Sequence, residues 1–191
     1  KKSEKELARL MKHSPKRGTD EKDARRVAKK FGFKILIKNN SSFAEIKKWL
    51  KYRATSGPIG VTFSAGIDSG SVFLLAYHAL IELGESPSRL KAFTLSIDGD
   101  GADLVQARKF LEAVSLEMFL EPIEVDYSAL DWKKAVSITE DYKPLDIQSA
   151  TMNLALLQGI RSRYPELKYL LDGDDCSVSH PYLLGLSGMG D

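Results

Sequence analysis

Small polar residues are concentrated at positions 64–71, where a carboxylate and several hydroxyls stand among glycines. The residues there that could contact a ligand are Ser64, Gly66, Asp68, Ser69, Gly70 and Ser71. An apolar run at 59–63 predicts a strand before this stretch, and the apolar residues 72–83 predict a helix after it. Such a loop binds anions, because its backbone amides point at the ligand and the helix dipole favours negative charge. The stretch therefore predicts a phosphate-binding loop, and Asp68 indicates a metal ion that accompanies the phosphates.

The spacing of this loop differs from two common nucleotide-binding motifs. A P-loop requires a lysine directly after its last glycine, and Ser71 occupies that position here. A dinucleotide-binding loop requires G-x-G-x-x-G, which Gly66 and Gly70 do not fit. Asp68 or Ser69 acting as a helix N-cap would account for only part of the polar series.

The composition is that of an ordinary globular protein, and it limits the classes of function. The 191 residues carry a net charge of +2, with 43% hydrophobic and 28% charged residues. The lone Cys176 excludes an intrachain disulfide and a cysteine-rich zinc site. No run approaches the ~18 apolar residues of a membrane span and no signal-peptide pattern is present, so we expect a cytoplasmic protein without a membrane partner.

Residues 1–41 are predicted to form a basic extension or linker, separate from an α/β domain at 42–191. Basic pairs such as Arg25-Arg26 and Lys29-Lys30 could form a nucleic-acid-binding arm, but no aromatic residues are interleaved with them. A linker is therefore the favoured interpretation, and nucleic acid stays open as a partner. The sequence stops at Asp191 in the middle of a pattern, so we expect the domain to be incomplete at its C-terminus.

Strand and helix patterns alternate along the domain. Strands are predicted at 31–37, 59–63, 91–97, 118–125 and 168–171, and helices after a cap at Ser42 and at 72–83, 103–114, 129–139 and 149–164. This alternation predicts an α/β fold with a mostly parallel, doubly wound sheet and helices on both faces. Pro122 has no amide proton for a sheet ladder, so its strand is expected to lie at an edge or to be irregular.

Polar residues follow three of the predicted strands, at 64–71, 96–101 and 172–175. Since ligands bind beyond the carboxyl ends of parallel strands, we expect these segments to meet on one rim of the sheet. Asp172, Asp174 and Asp175 are costly to crowd together without a counterion, although a solvated turn is the alternative. Opposite a phosphate loop, magnesium is the favoured interpretation, with Asp68 and Asp174 as its ligands.

Residues 64–69 resemble S-G-G-x-D-S, the pyrophosphate loop of the N-type ATP pyrophosphatases, or PP-loop superfamily. Ala65 stands where that motif has its first glycine, and we expect it to have an ordinary backbone angle. From Phe43 to Asp175 the chain also resembles the synthetase domain of asparagine synthetase and of its β-lactam and carbapenam synthetase relatives. The segments that carry this resemblance are Phe93-Thr94-Leu95-Ser96, Asp103-Leu104-Val105-Gln106-Ala107-Arg108, Glu140-Asp141-Tyr142-Lys143-Pro144 and Leu171-Asp172-Gly173-Asp174-Asp175.

The resemblance implies an adenine nucleotide alpha hydrolase-like fold at 42–191, with ATP and Mg²⁺ as cofactors. It also implies a small-molecule carboxylate and an amine donor as partners, joined through an adenylate with release of pyrophosphate and then AMP. The nucleotide- and pyrophosphate-binding residues that it implies are Phe63, Ser64, Gly66, Asp68, Ser69, Gly70, Ser71, Leu95, Ser96 and Gly173, with Mg²⁺ on Asp68 and Asp174. No side chain need act as a nucleophile, and no catalytic residue is assigned, since His13, His78 and His180 form no recognisable triad with Cys176.

Besides Ala65, the chain departs from the family pattern at two further positions. Asp172 replaces a serine, and Gln148 stands where the asparagine enzymes carry an arginine, which puts aspartate as the acceptor in question. Two alternatives stay open. One is a tRNA-modifying or an NAD- or GMP-synthesising pyrophosphatase that uses the same loop, and the basic arm slightly favours the tRNA version. The other is a non-catalytic nucleotide-binding relative.

Overall fold

The computed structural model describes residues 34–36, 43–52, 54, 56–99, 101–140 and 142–173, in which strands alternate with helices. The strands are β1 (Lys34–Leu36), β2 (Ile59–Thr62), β3 (Leu90–Ile97), β4 (Leu120–Val125) and β5 (Tyr169–Leu171). The helices are α1 (Phe43–Tyr52), α2 (Ile67–Glu82), α3 (Ala102–Ala113), α4 (Trp132–Thr139) and α5 (Pro144–Arg163). The alternation confirms the predicted α/β class. The predicted cap Ser42 lies outside the described residues.

The strands form one five-stranded sheet in the order β1-β5-β2-β3-β4, and every pairing between neighbours is parallel. From β2 the chain moves outward in one direction to β3 and β4, and it then returns to place β5 on the other side of β2. The direction of winding therefore reverses between β2 and β5. In open parallel sheets such a reversal leaves a crevice beyond the carboxyl ends of the two strands.

The helices cover both faces of the sheet, as the sequence predicts. Successive strand residues point to opposite faces, and neighbours in β3 and β5 accordingly enter different cores. Ala92 and Leu171 belong to a core with α1, α2 and α3, whereas Phe93 and Leu170 belong to a core with α4 and α5. No helix in the described ranges is long and apolar enough to cross a membrane.

The sequence predicted the edge position of one strand of the sheet, β4, but not that of the other edge strand, β1. Strand β4 lies at one edge, as Pro122 predicts, because a residue without an amide proton is tolerated where no further strand pairs. Strand β1 lies at the other edge of the sheet, and among the described strands it pairs with β5 alone. It precedes the predicted domain boundary at residue 42, so the sheet begins earlier in the chain than the predicted domain.

A glycine inside β2 makes room for side chains of the core that contains α4 and α5. A Cβ at Gly60 would lie 2.6 Å from Leu170 Cδ1 and 2.7 Å from Phe93 Cε2. Both of these side chains are fully buried. The missing side chain at Gly60 therefore lets its two neighbouring strands pack their side chains across β2, which holds that strand in position beneath the loop at its carboxyl end.

Candidate functional site

A cavity of about 510 Å³ lies at the carboxyl ends of β2, β3 and β5. Its walls come from the segments that follow these strands and from α5. The lining residues that the sequence had singled out include Phe63, Ser64, Gly66, Asp68, Ser69, Phe93, Thr94, Leu95, Asp103, Gln148, Asp172 and Gly173. The structure thus brings the predicted phosphate loop, the third strand and the start of the acidic turn to one rim. Asp174 and Asp175 lie outside the described residues.

Helix α2 begins at Ile67, inside the predicted loop, so that Asp68 and Ser69 lie in its first turn. The N-cap residue is Gly66, which has no side chain to cap the helix, and neither Asp68 nor Ser69 takes that place. The first amides of a helix have no acceptor within the helix, and they carry the positive end of its dipole. Because Gly66, Asp68 and Ser69 all line the cavity, this helix end faces the space where an anion could bind.

Two serine hydroxyls hold the loop in its curved shape. The Oγ atoms of Ser64 and Ser69 lie 3.3 Å apart. Ser69 Oγ also donates to the carbonyl of Gly66 at 3.3 Å and accepts from the backbone amide of Ser64 at 3.3 Å. The loop is therefore closed by its own side chains, and a ligand would meet a preformed surface.

The expectation of an ordinary backbone angle at Ala65 is wrong. Its φ is 58°, in the left-handed region. For a residue with a Cβ this conformation costs ~1–2 kcal/mol, whereas glycine adopts it readily. Ala65 is buried, and its carbonyl accepts a hydrogen bond from Gln106 Nε2 at 3.3 Å. The left-handed angle gives a physical reason for the glycine that the related motif has at this position.

Gly70 and Ser71 lie in α2 but do not line the cavity. A Cβ at Gly70 would lie 2.9 Å from Phe110 Cζ, so this glycine allows α3 to pack closely against α2. Ser71 Oγ donates to the carbonyl of Ile67 at 2.6 Å, within the helix. Both residues therefore have packing or helix roles in the structure, and their contact with a nucleotide stays a prediction.

The strand β3 and the residue after β2 form the floor of the cavity. Phe63 is tied to β3 twice: its amide donates to the carbonyl of Phe93 at 2.8 Å, and its carbonyl accepts from Thr94 Oγ1 at 2.6 Å. Phe63 and Leu95 both line the cavity. Ser96 does not line it, and its buried hydroxyl donates to the carbonyl of Gly99 in the turn after β3.

The segment after β5 packs directly against the first turn of α2. A Cβ at Gly173 would lie 2.5 Å from the backbone nitrogen of Ser69 and 2.6 Å from its Cα, so only glycine fits there. Beside it, Thr62 Oγ1 donates to Asp172 Oδ1 at 2.7 Å and joins the ends of β2 and β5. The sequence did not identify Thr62 as a residue of the site. The signal that could have found it is a hydroxyl on the last residue of the strand before the loop.

Helix α5 supplies another wall of the cavity, with Gln148, Met152, Asn153 and Leu156. The last three lie inside the helix predicted at 149–164, but nothing in their residue types indicated that they line a cavity. The start of that helix was predicted at Ser149, which left Gln148 outside it. The helix begins at Pro144, in the first-turn position where proline costs no hydrogen bond. With that start, positions 148, 152 and 156 follow one another every four residues and share one face.

The charged side chains that line the cavity are all acidic within the described part of the chain: Asp68, Asp103 and Asp172. A polyphosphate would therefore need a cation to approach them. No group of three or more potential metal ligands lies together among the described residues. Mg²⁺ does not require such a group, since it commonly binds one or two carboxylates together with substrate phosphates, and the oxygen donors here suit it.

The model of the asparagine synthase family matches residues 51–174, roughly two thirds of the chain. The match spans β2 to β5 and includes every described lining residue of the cavity. No curated protein matches the sequence. The chain therefore belongs to the asparagine synthase family, an ATP-using family of the ligase kind.

Proposed function

We propose that this chain uses ATP to convert a carboxylate, or a similar oxygen, into its adenylate for amide formation. One observation supports this most strongly. The first turn of α2 packs against Gly173, between the ends of β2 and β5, where the direction of winding reverses. A phosphate chain lying in this crevice would face helix amides, two serine hydroxyls and a carboxylate.

In this proposal the loop binds the pyrophosphate part of ATP. The amides of the first turn of α2 and the hydroxyl groups of Ser64 and Ser69 are uncharged polar groups of this loop that line the cavity. The Ser64–Ser69 contact holds the loop in place. Because Ser69 Oγ donates its proton to the carbonyl of Gly66, that proton has to rotate before it can reach the phosphates. The helix amides need little reorganisation as negative charge develops on the leaving pyrophosphate. Phe63 and Leu95 would border the adenine, on the floor formed by β3.

Asp68 would hold Mg²⁺, with Asp174 as the second ligand predicted from the sequence. Asp172 is the acidic residue of the described turn that lines the same cavity, and Asp174 follows two positions later in the chain. Bound magnesium would neutralise charge on the phosphates. The reaction forms a bond between the acceptor oxygen and the α-phosphorus and breaks the bond to pyrophosphate. An amine then forms the amide and displaces AMP, so the protein has mainly to position its substrates.

The products formed by the full chain test this proposal. We expect ATP, Mg²⁺ and a suitable carboxylic acid to yield AMP and pyrophosphate in equal amounts, and hydroxylamine to trap the adenylate as a hydroxamate. Formation of ADP and phosphate would contradict the proposal. AMP formation that depends on tRNA and on no carboxylic acid would favour the tRNA-modifying alternative, and failure to bind ATP would favour a non-catalytic relative.

A further inference from the structure

The wall of the cavity formed by α5 has a distinctive chemistry. Gln148 and Asn153 contribute carboxamides, and Met152 and Leu156 contribute apolar surface. The loop after β2 is assigned above to the phosphates, and Phe63 with Leu95 to the adenine. Two parts of the cavity are then left for the rest of the acceptor molecule: the start of α3, with the carboxylate of Asp103, and the uncharged α5 wall.

The cations of α5 lie away from this wall. Lys143, at the start of the helix, pairs with Asp146 at 3.2 Å and does not line the cavity. Arg161 and Arg163, at the other end, bind the carbonyls of Pro165, Leu167 and Pro122. Within the described part of the chain, no lysine or arginine lines the cavity, whereas three carboxylates do.

This charge distribution restricts what an acceptor can carry. The carboxylate that reacts would sit beside the phosphates, where magnesium offsets its charge. A second anionic group on the same molecule would face the α5 wall without a cation and with Asp103 and Asp172 in the same cavity. Placing an unpaired charge in a partly desolvated cavity is costly, whereas a neutral amide or hydroxyl can hydrogen-bond to a carboxamide.

We propose that the acceptor carries a single negative charge, the carboxylate that is activated, together with a neutral polar group that binds Gln148 and Asn153. This inference rests on the function proposed above. Gln148 is then a residue that determines specificity. It is exposed at the wall of the cavity, so replacing it does not disturb the core.

Pairs of acids that differ only in charge test the inference. Succinamate and succinate have the same shape, as do glutaramate and glutarate, but the first of each pair has a neutral amide in place of a carboxylate. We expect ATP–pyrophosphate exchange by the full chain to have a kcat/KM at least about tenfold higher with the amide member of a pair. Gln148→Arg should shift that preference towards the dicarboxylate by about tenfold or more.

Gln148→Met is the matched control, because it keeps the length and helix propensity of the side chain but has neither charge nor amide. It should lower exchange with the amide acid without raising exchange with the dicarboxylate. Exchange by the wild type that favours succinate or glutarate would overturn the inference and leave the proposed function standing. Exchange with none of the four acids would also overturn it, whereas absence of exchange with every carboxylic acid of a wider panel would overturn the proposed function.

Discussion

Ala65 shows how a single methyl group can conflict with the loop that it belongs to. Its backbone has a φ of 58°, and its side chain is buried. We expect Ala65→Gly to raise the free energy of unfolding by about 0.5–1 kcal/mol, since relief of the left-handed strain exceeds the added entropy of the unfolded glycine. Urea denaturation measures this change.

Ala76→Gly provides the matched control for that substitution. Ala76 is buried like Ala65, but it lies in the interior of α2, where glycine should lower the free energy of unfolding by about 1 kcal/mol. The two changes are therefore expected to have opposite signs. A loss of stability in Ala65→Gly as large as that in Ala76→Gly would show that the left-handed angle is not the source of strain.

Asp172 places a carboxylate where the family motif has a serine. Its Oδ1 accepts a hydrogen bond from Thr62, and its side chain lines the same cavity as Asp68. Because an extra negative charge repels phosphates that are not neutralised by metal, Asp172→Asn should bind ATP several-fold more tightly than the wild type in the presence of EDTA. Titration calorimetry measures this affinity.

Glu112→Gln is the control for Asp172→Asn, because it removes one negative charge from an exposed position in the last turn of α3. It should leave the metal-free affinity for ATP unchanged. If Asp172→Asn also leaves that affinity unchanged, the carboxylate does not face the phosphates.

The helices were less predictable from the sequence at their starts than in their interiors. The sequence placed the helix after the loop at 72–83 and the last helix at 149–164, yet α2 begins at Ile67 and α5 at Pro144. The residues at the start of α2, such as Gly70 and Ser71, have low helix propensity. A glycine at position 70 leaves room for Phe110 of α3, and this contact is distant in sequence, so local patterns do not show it.

Arg89 holds the segment that leads into β2, the strand that precedes the phosphate loop. Its Nε donates to the carbonyl of Gly57 at 2.9 Å, another of its nitrogens donates to the carbonyl of Ala54, and Nη1 lies 3.1 Å from Glu85. Lysine cannot make these bonds together, so Arg89→Lys should lower the free energy of unfolding by about 1–3 kcal/mol in urea denaturation.

Glu85→Gln separates the two kinds of contact that Arg89 makes. It weakens only the exposed ion pair, which should contribute no more than about 1 kcal/mol. A cost of Arg89→Lys no greater than that of Glu85→Gln would show that the carbonyls of Ala54 and Gly57 do not depend on the guanidinium.

At the scale of the molecule, the parallel sheet, the helices on both faces and the shared rim followed from the alternation of strand and helix patterns. The position of β5 between β1 and β2 did not, because sequence patterns give the order of strands along the chain but not across the sheet. Contacts that depend on this position were missed for the same reason. These are the Thr62–Asp172 bond and the fit of Gly173 against Ser69.

The family match and the cavity support one central claim, that this chain activates an acceptor through attack on ATP with release of pyrophosphate. Exchange of labelled pyrophosphate into ATP measures that step directly. We predict exchange that requires both Mg²⁺ and a carboxylic acid and that falls at least about a hundredfold in Asp68→Asn, with Glu112→Gln unchanged. Exchange that survives Asp68→Asn, or that proceeds without Mg²⁺, would contradict the account.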